Sequence, residues 1–116
     1  MSIKKKNKKS ELDKLEQYLK KKKIKYERVD KDYEFYPDSP YLCEFNKHQI
    51  KVLNDEGGVI WDVICHYGSY GYEQGLLEAM GESLIGHDDV EGWLTAKEVI
   101  DMYERRSYEK SLDCVV

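Results

Sequence analysis

The chain has 116 residues, 36% charged and 41% hydrophobic, with a net charge of −4, which is room for one domain with one core. No apolar run is long enough to span a bilayer, and the basic start lacks the apolar segment and small-residue cleavage site of a signal peptide, so the expectation is a cytoplasmic protein with no membrane partner. Cys43, Cys65 and Cys114 form an odd set without a C-x-x-C pair, which argues against a disulfide framework and for a reducing compartment.

The charge is unevenly placed. Residues 1–31 carry a net +8 and residues 32–116 a net −12. Residues 1–9 have nothing to bury and are expected to be a disordered basic arm. Ser10 then reads as an N-cap, and Leu12, Leu15, Tyr18 and Leu19 recur at helical spacing, so a first helix is expected over about 11–22. Its closing lysines, Lys20 to Lys23, suit the negative end of the helix dipole. Ile24 to Val29 alternates as a first strand. Asp30 to Pro40 is a polar loop with two prolines, and Tyr41 to Phe45 reads as a short edge strand.

A hairpin follows, with strands at about 48–54 and 58–66 around the turn Asn54-Asp55-Glu56-Gly57-Gly58. Val59, Trp61, Val63 and Cys65 share one face of its second strand, while Ile60, Asp62 and Ile64 share the other. Apolar residues on both faces predict a central strand covered on both sides, with Asp62 near the sheet's rim. His66-Tyr67-Gly68-Ser69-Tyr70-Gly71-Tyr72 makes a glycine- and tyrosine-rich elbow. Tyr72, Leu76, Ala79 and Met80 then predict a second helix over about 71–80, and Glu82 to Gly92 an acidic loop. Thr95 and Glu98 form a T-x-x-E capping box, with Leu94 and Val99 at the positions of a hydrophobic staple, so a third helix starts there. The domain is expected to span residues 10–106, with 107–116 a flexible tail. The class is α+β: a small antiparallel sheet of three to four strands around a central hairpin, packed by three helices.

Candidate chemistry is sparse. Gly68, Gly71 and Gly75 before a helix start would let backbone amides hold an anion. The spacing is neither a dinucleotide nor a P-loop motif, and Glu73 would repel a phosphate. Cys65 and His66 are neighbours on a strand and so point to opposite faces, a poor geometry for a nucleophile and its base. Cys43, His48, Cys65 and His66 match no standard zinc spacing. No catalytic residue, metal or cofactor is therefore expected.

Tyrosine is the outlier, with ten residues against two phenylalanines. Large rings with polar tips are enriched where proteins meet. Tyr67, Ser69, Tyr70, Tyr72 and Glu73 at the elbow are the candidate contact residues, with Tyr70 the outward anchor. Tyrosines amid acidic side chains suit a basic protein partner. Two alternatives remain: nucleic acid held by the basic segments 4–9 and 20–25, or a small nucleotide or phosphate at the elbow.

The pattern Trp61-Asp62-x-x-Cys65-x-x-Gly68-Ser69-Tyr70-Gly71-Tyr72-Glu73-x-Gly75-Leu76-Leu77-Glu78-x-Met80-Gly81 resembles a family of small uncharacterised proteins of phages and prophages of low-GC Gram-positive bacteria. Val90 to Ile100 and the first helix followed by Ile24-Lys25-Tyr26-Glu27-Arg28 belong to the same likeness, which spans residues 11–106. It implies a phage accessory protein that acts in the host cytoplasm on a host or defence protein, an anti-defence inhibitor being one case. It carries over no catalytic residues.

Overall fold

The computed structural model describes residues 9–31 and 47–113. In chain order the elements are α1 (Ser10–Lys21), β1 (Tyr26–Lys31), β2 (Lys47–Leu53), β3 (Val59–Ile64), β4 (Leu77–Met80), α2 (Glu82–Ile85), β5 (Val90–Leu94) and α3 (Ala96–Asp113), with a 3-10 turn at Tyr72–Gln74. The five strands form one antiparallel sheet in the order β1-β2-β3-β4-β5. The α+β class and the central hairpin are as expected, but the sheet has more strands than the three to four anticipated.

The largest departure lies after the elbow. Residues 71–80 are not a helix: a 3-10 turn stops at Gly75, and Leu77–Met80 becomes β4. The helical spacing of Tyr72, Leu76 and Ala79 competes with a period-two pattern in which Leu77 and Ala79 alternate with Glu78 and Met80. Leu77 and Ala79 are fully buried, and β4 satisfies the open edge of β3 by pairing Asp62 with Met80, Val63 with Ala79 and Ile64 with Glu78. Unpaired backbone groups along β3 favour a strand there, whatever the local helical propensity. The expected acidic loop at 82–92 likewise contains α2 and enters β5.

The core lies between one face of the sheet and the helices. His48, Ile50 and Val52 of β2, Trp61 and Val63 of β3, Leu77 and Ala79 of β4 and Leu94 of β5 point into it, where they join Leu12, Leu15 and Leu19 of α1 and Val99 of α3. Trp61, only 3% exposed, packs its ring 6.0 Å from that of Tyr103 on α3. The other face carries Gln49, Lys51, Asp62, Ile64, Glu78 and Met80, half-buried or exposed. Among the described residues β3 is thus covered on one face rather than two. Asp62 sits in the middle of that more exposed face, not at the rim, and accepts a 2.8 Å hydrogen bond from Gln49.

Polar contacts fix the helices. Arg28, on β1, meets Asp13 and Glu16 of α1 at 2.9 and 3.1 Å and Asp30 at 2.8 Å, and the Tyr26 hydroxyl donates to Glu16 at 2.9 Å. Glu11 of α1 accepts from the amide of Ala96 at 2.8 Å, satisfying one of the orphan donors that open α3. The capping box forms as expected: Thr95 Oγ1 accepts from the Glu98 amide at 3.2 Å, and Glu98 Oε1 accepts from the Thr95 amide at 3.1 Å. The N-cap of α1 is Lys9 rather than Ser10, with no side-chain cap bond. α3 continues through Asp113, past the domain end expected at Arg106. Apart from Lys9, the basic arm lies outside the described residues, as do the edge strand at Tyr41 to Phe45, Cys43 and Cys114.

Candidate aromatic contact site

The elbow between β3 and β4 is tied by its own hydrogen bonds. The Ser69 hydroxyl donates to the His66 carbonyl at 2.6 Å and accepts from the His66 amide at 3.1 Å. Ser69 is therefore the clasp of the turn, not a contact group facing out. Gly71, with φ +98°, reverses the chain in a left-handed conformation that glycine adopts without strain. Its carbonyl accepts from the amides of Gln74 and Leu76 at 3.1 and 2.8 Å. The amides of Ser69, Tyr72 and Gly75 are also spent on carbonyls within the elbow, and that of Tyr70 on Glu78 Oε1 at 3.0 Å. No long helix begins here, so the aligned amides and dipole that would attract an anion are missing.

Tyr70 is held from both sides. Its amide is bound by Glu78 of β4, and its carbonyl accepts from the Trp93 amide of β5 at 3.3 Å. Its ring stacks on the indole of Trp93, with centroids 5.2 Å apart and planes 28° from parallel. Tyr70 nevertheless stays 53% exposed and Trp93 56%. Gly92 permits this approach, because a Cβ there would collide with the Cβ of Tyr70. Trp93 has φ +56°, a left-handed conformation that bulky residues rarely take. Tyr67 is 53% exposed and lies edge-on to Tyr72 at 6.4 Å, with Tyr72 half-buried and Glu73 exposed beside it.

Tyr70 thus faces outward as the sequence predicts, and Tyr67, Tyr72 and Glu73 share its elbow. Trp93 is the residue that the sequence reading missed. The reason is a shift in register: Glu91 pairs with buried Ala79 and Leu94 with buried Leu77, so the alternation of β5 breaks between them and does not announce the side of the indole.

A second row of polar groups crosses the sheet. Asp30 stands opposite His48 on β2, and His48 Nδ1 lies 2.8 Å from Asp30 Oδ1. Cys65, just past the end of β3, donates its amide to the His48 carbonyl at 3.0 Å, which brings thiol, imidazole and carboxylate to one end of three neighbouring strands. Burial pushes the Asp30 carboxyl up, but the hydrogen bond from His48 and the Arg28 charge outweigh it and hold the group below the usual carboxylate range. Cys65 is 1% exposed and His48 3%, so a substrate has no route to the sulfur. His66 accepts the His48 amide at Nδ1, at 3.4 Å. Burial lowers its pKa, with Glu78 partly opposing, and the ring is neutral near pH 7. Among the described residues no group of three or more His, Cys, Asp or Glu side chains is arranged to hold a metal ion, and no helix is long and apolar enough to cross a membrane.

Comparison with known proteins returns no match to a family model, a curated protein or a solved structure.

Proposed function

We propose that this chain is a non-enzymatic phage or prophage accessory protein that binds a host or defence-system protein through the Tyr70–Trp93 face of the elbow. The observation that carries the reading is the stacked pair itself. Two of the largest side chains stand more than half in solvent, on backbone tied to β4 and β5. One of them occupies a conformation that its own bulk disfavours. Hydrophobic contact alone does not account for such a placement, because turning either ring inward would bury more apolar surface. Large aromatics preset on a rigid support are what binding hot spots are made of, since little conformational entropy is lost when they are covered.

Lys20 and Lys21 close α1 at its negative end and Lys22 lies over the ring of Tyr18 at 6.0 Å, roles within the fold that need no nucleic acid. The test is to capture partners from host lysate, reconstitute the complex from purified components, and compare wild type with Tyr70→Ala. The substitution is expected to weaken binding by ~2 kcal/mol or more, about thirtyfold, while costing ~2 kcal/mol or less of folding stability, so that binding is compared at a temperature where circular dichroism shows both proteins folded. A partner bound with wild-type affinity by Tyr70→Ala overturns the reading.

A further inference from the structure

Resting on that reading, the chemistry around the rings points to what they take. We propose that the Tyr70–Trp93 pair stacks on a guanidinium, the side chain of an arginine in a basic segment of the partner protein.

Charge is the first argument. Residues 52–96, which contain the elbow, β4 and β5, hold nine Asp or Glu and no Lys or Arg. One of those carboxylates, Glu78, binds the Tyr70 amide directly; another, Glu91 of β5, meets His87 Nε2 at 3.0 Å. His66 adds no charge near neutral pH; the cations beside this stretch come from β2, where Lys51 stands opposite Asp62 and His48 and Lys47 act on His66. A phosphate backbone laid along this surface meets like charge and finds most of the elbow's amides already engaged. A cationic segment meets the opposite sign.

Ring chemistry is the second argument. The faces of tryptophan and tyrosine carry the negative end of the ring quadrupole and attract a cation lying over them, tryptophan most strongly. Stacking on each other occupies one face of each ring, and more than half of each residue still meets solvent. A guanidinium fits that face better than an ammonium does. It is planar, so it lies flat on the indole; it is weakly hydrated, so less is lost on contact; and its outer N–H groups remain free for further hydrogen bonds.

The fluorescence of the protein itself reads the test, because Trp93 is 56% exposed and Trp61 only 3%. The probes are a short Arg-Gly-Ser repeat peptide, its Lys-Gly-Ser and Glu-Gly-Ser counterparts, and a thymidine oligonucleotide. The arginine peptide is expected to change Trp93 emission saturably and to weaken as salt rises. The lysine peptide is expected to bind about threefold or more weakly, and the glutamate peptide and the oligonucleotide not to bind. Trp93→Ala should weaken arginine-peptide binding, followed by calorimetry, by roughly five- to thirtyfold, while Trp93→Phe retains most of it.

Equal binding of the arginine and lysine peptides overturns the guanidinium assignment. So does wild-type binding by Trp93→Ala, which would reduce the effect to diffuse acidic attraction, and so does oligonucleotide binding that depends on the rings, which would make the site a base-stacking platform. The two readings separate cleanly. A purified partner lost on Tyr70→Ala but indifferent to salt and to competing arginine peptide refutes this inference and leaves protein binding intact. A partner retained by Tyr70→Ala refutes the site for both.

Discussion

Substituting Trp93 by alanine and by glycine separates backbone strain from side-chain packing. The residue is 56% exposed, so the part it buries is about 100 Å², worth ~2.5 kcal/mol at ~25 cal/mol per Å². Either substitution loses most of that contact, including the stack on Tyr70. Alanine keeps a Cβ in the left-handed conformation at φ +56°, which costs an L-residue roughly 1–2 kcal/mol. Glycine relieves that strain and gives back ~0.5–1 kcal/mol through the greater freedom of its unfolded chain. The expected losses are therefore ~2–3 kcal/mol for Trp93→Ala and ~1–2 kcal/mol for Trp93→Gly. The order is the diagnostic, because at an ordinary strand position glycine is the less stable of the two by ~0.5–1 kcal/mol. Urea titration followed by far-ultraviolet circular dichroism measures both, with an unchanged m-value showing that the same folded state is compared. Trp93→Ala equal to or more stable than Trp93→Gly refutes the strained placement. A loss above ~4 kcal/mol for either, in the range of a core tryptophan such as Trp61, refutes its exposure.

Other consequences are simpler to measure. Thr95→Ala removes one half of the capping box and should cost ~0.5–2 kcal/mol in denaturant titration without changing the fold; the bond from the Ala96 amide to Glu11 remains to hold the start of α3. Cys65, 1% exposed, should resist alkylation in the native protein and react once urea unfolds it, as followed by peptide mass mapping; rapid native labelling would reopen the row Cys65–His48–Asp30 as chemistry. Stability should fall on both sides of neutrality in a melting series against pH. His66 and Asp30 have lowered folded pKa values, so their contributions are complete above the ordinary values of 6.5 and 3.8 and fade as pH drops through the folded ones. Tyr18 is pushed up to about 12 by burial and its hydrogen bond to Glu104, so its contribution is complete below pH 10.0 and fades as pH climbs towards 12. Tyr18→Phe should flatten that alkaline limb, and an unchanged limb would mean another group causes it.

Local signals settle what depends on neighbours in the chain. Helix α1 is legible in the spacing of Leu12, Leu15 and Leu19, α3 in the Thr95–Glu98 box, and the hairpin in its alternation around Asn54 to Gly58, because each carries its pattern within a few residues of chain. The exposure of Tyr70 is legible for the same reason, since no periodicity draws it inward. Residues 77–80 are different. Their pattern fits a helix or a strand, and only the hydrogen-bonding edge of β3, brought alongside by folding, decides for the strand. The functional face follows from that choice. Once β4 and β5 extend the sheet, Gly92 admits Tyr70 and Trp93 is brought under its ring, a contact between residues far apart in sequence that no local spacing encodes. Asp30 and His48 meet in the same way, through strand register alone. The chain by itself determined α1, α3, the central hairpin and that Tyr70 faces out; the pairing of strands decided β4, β5 and which second ring stands beside it.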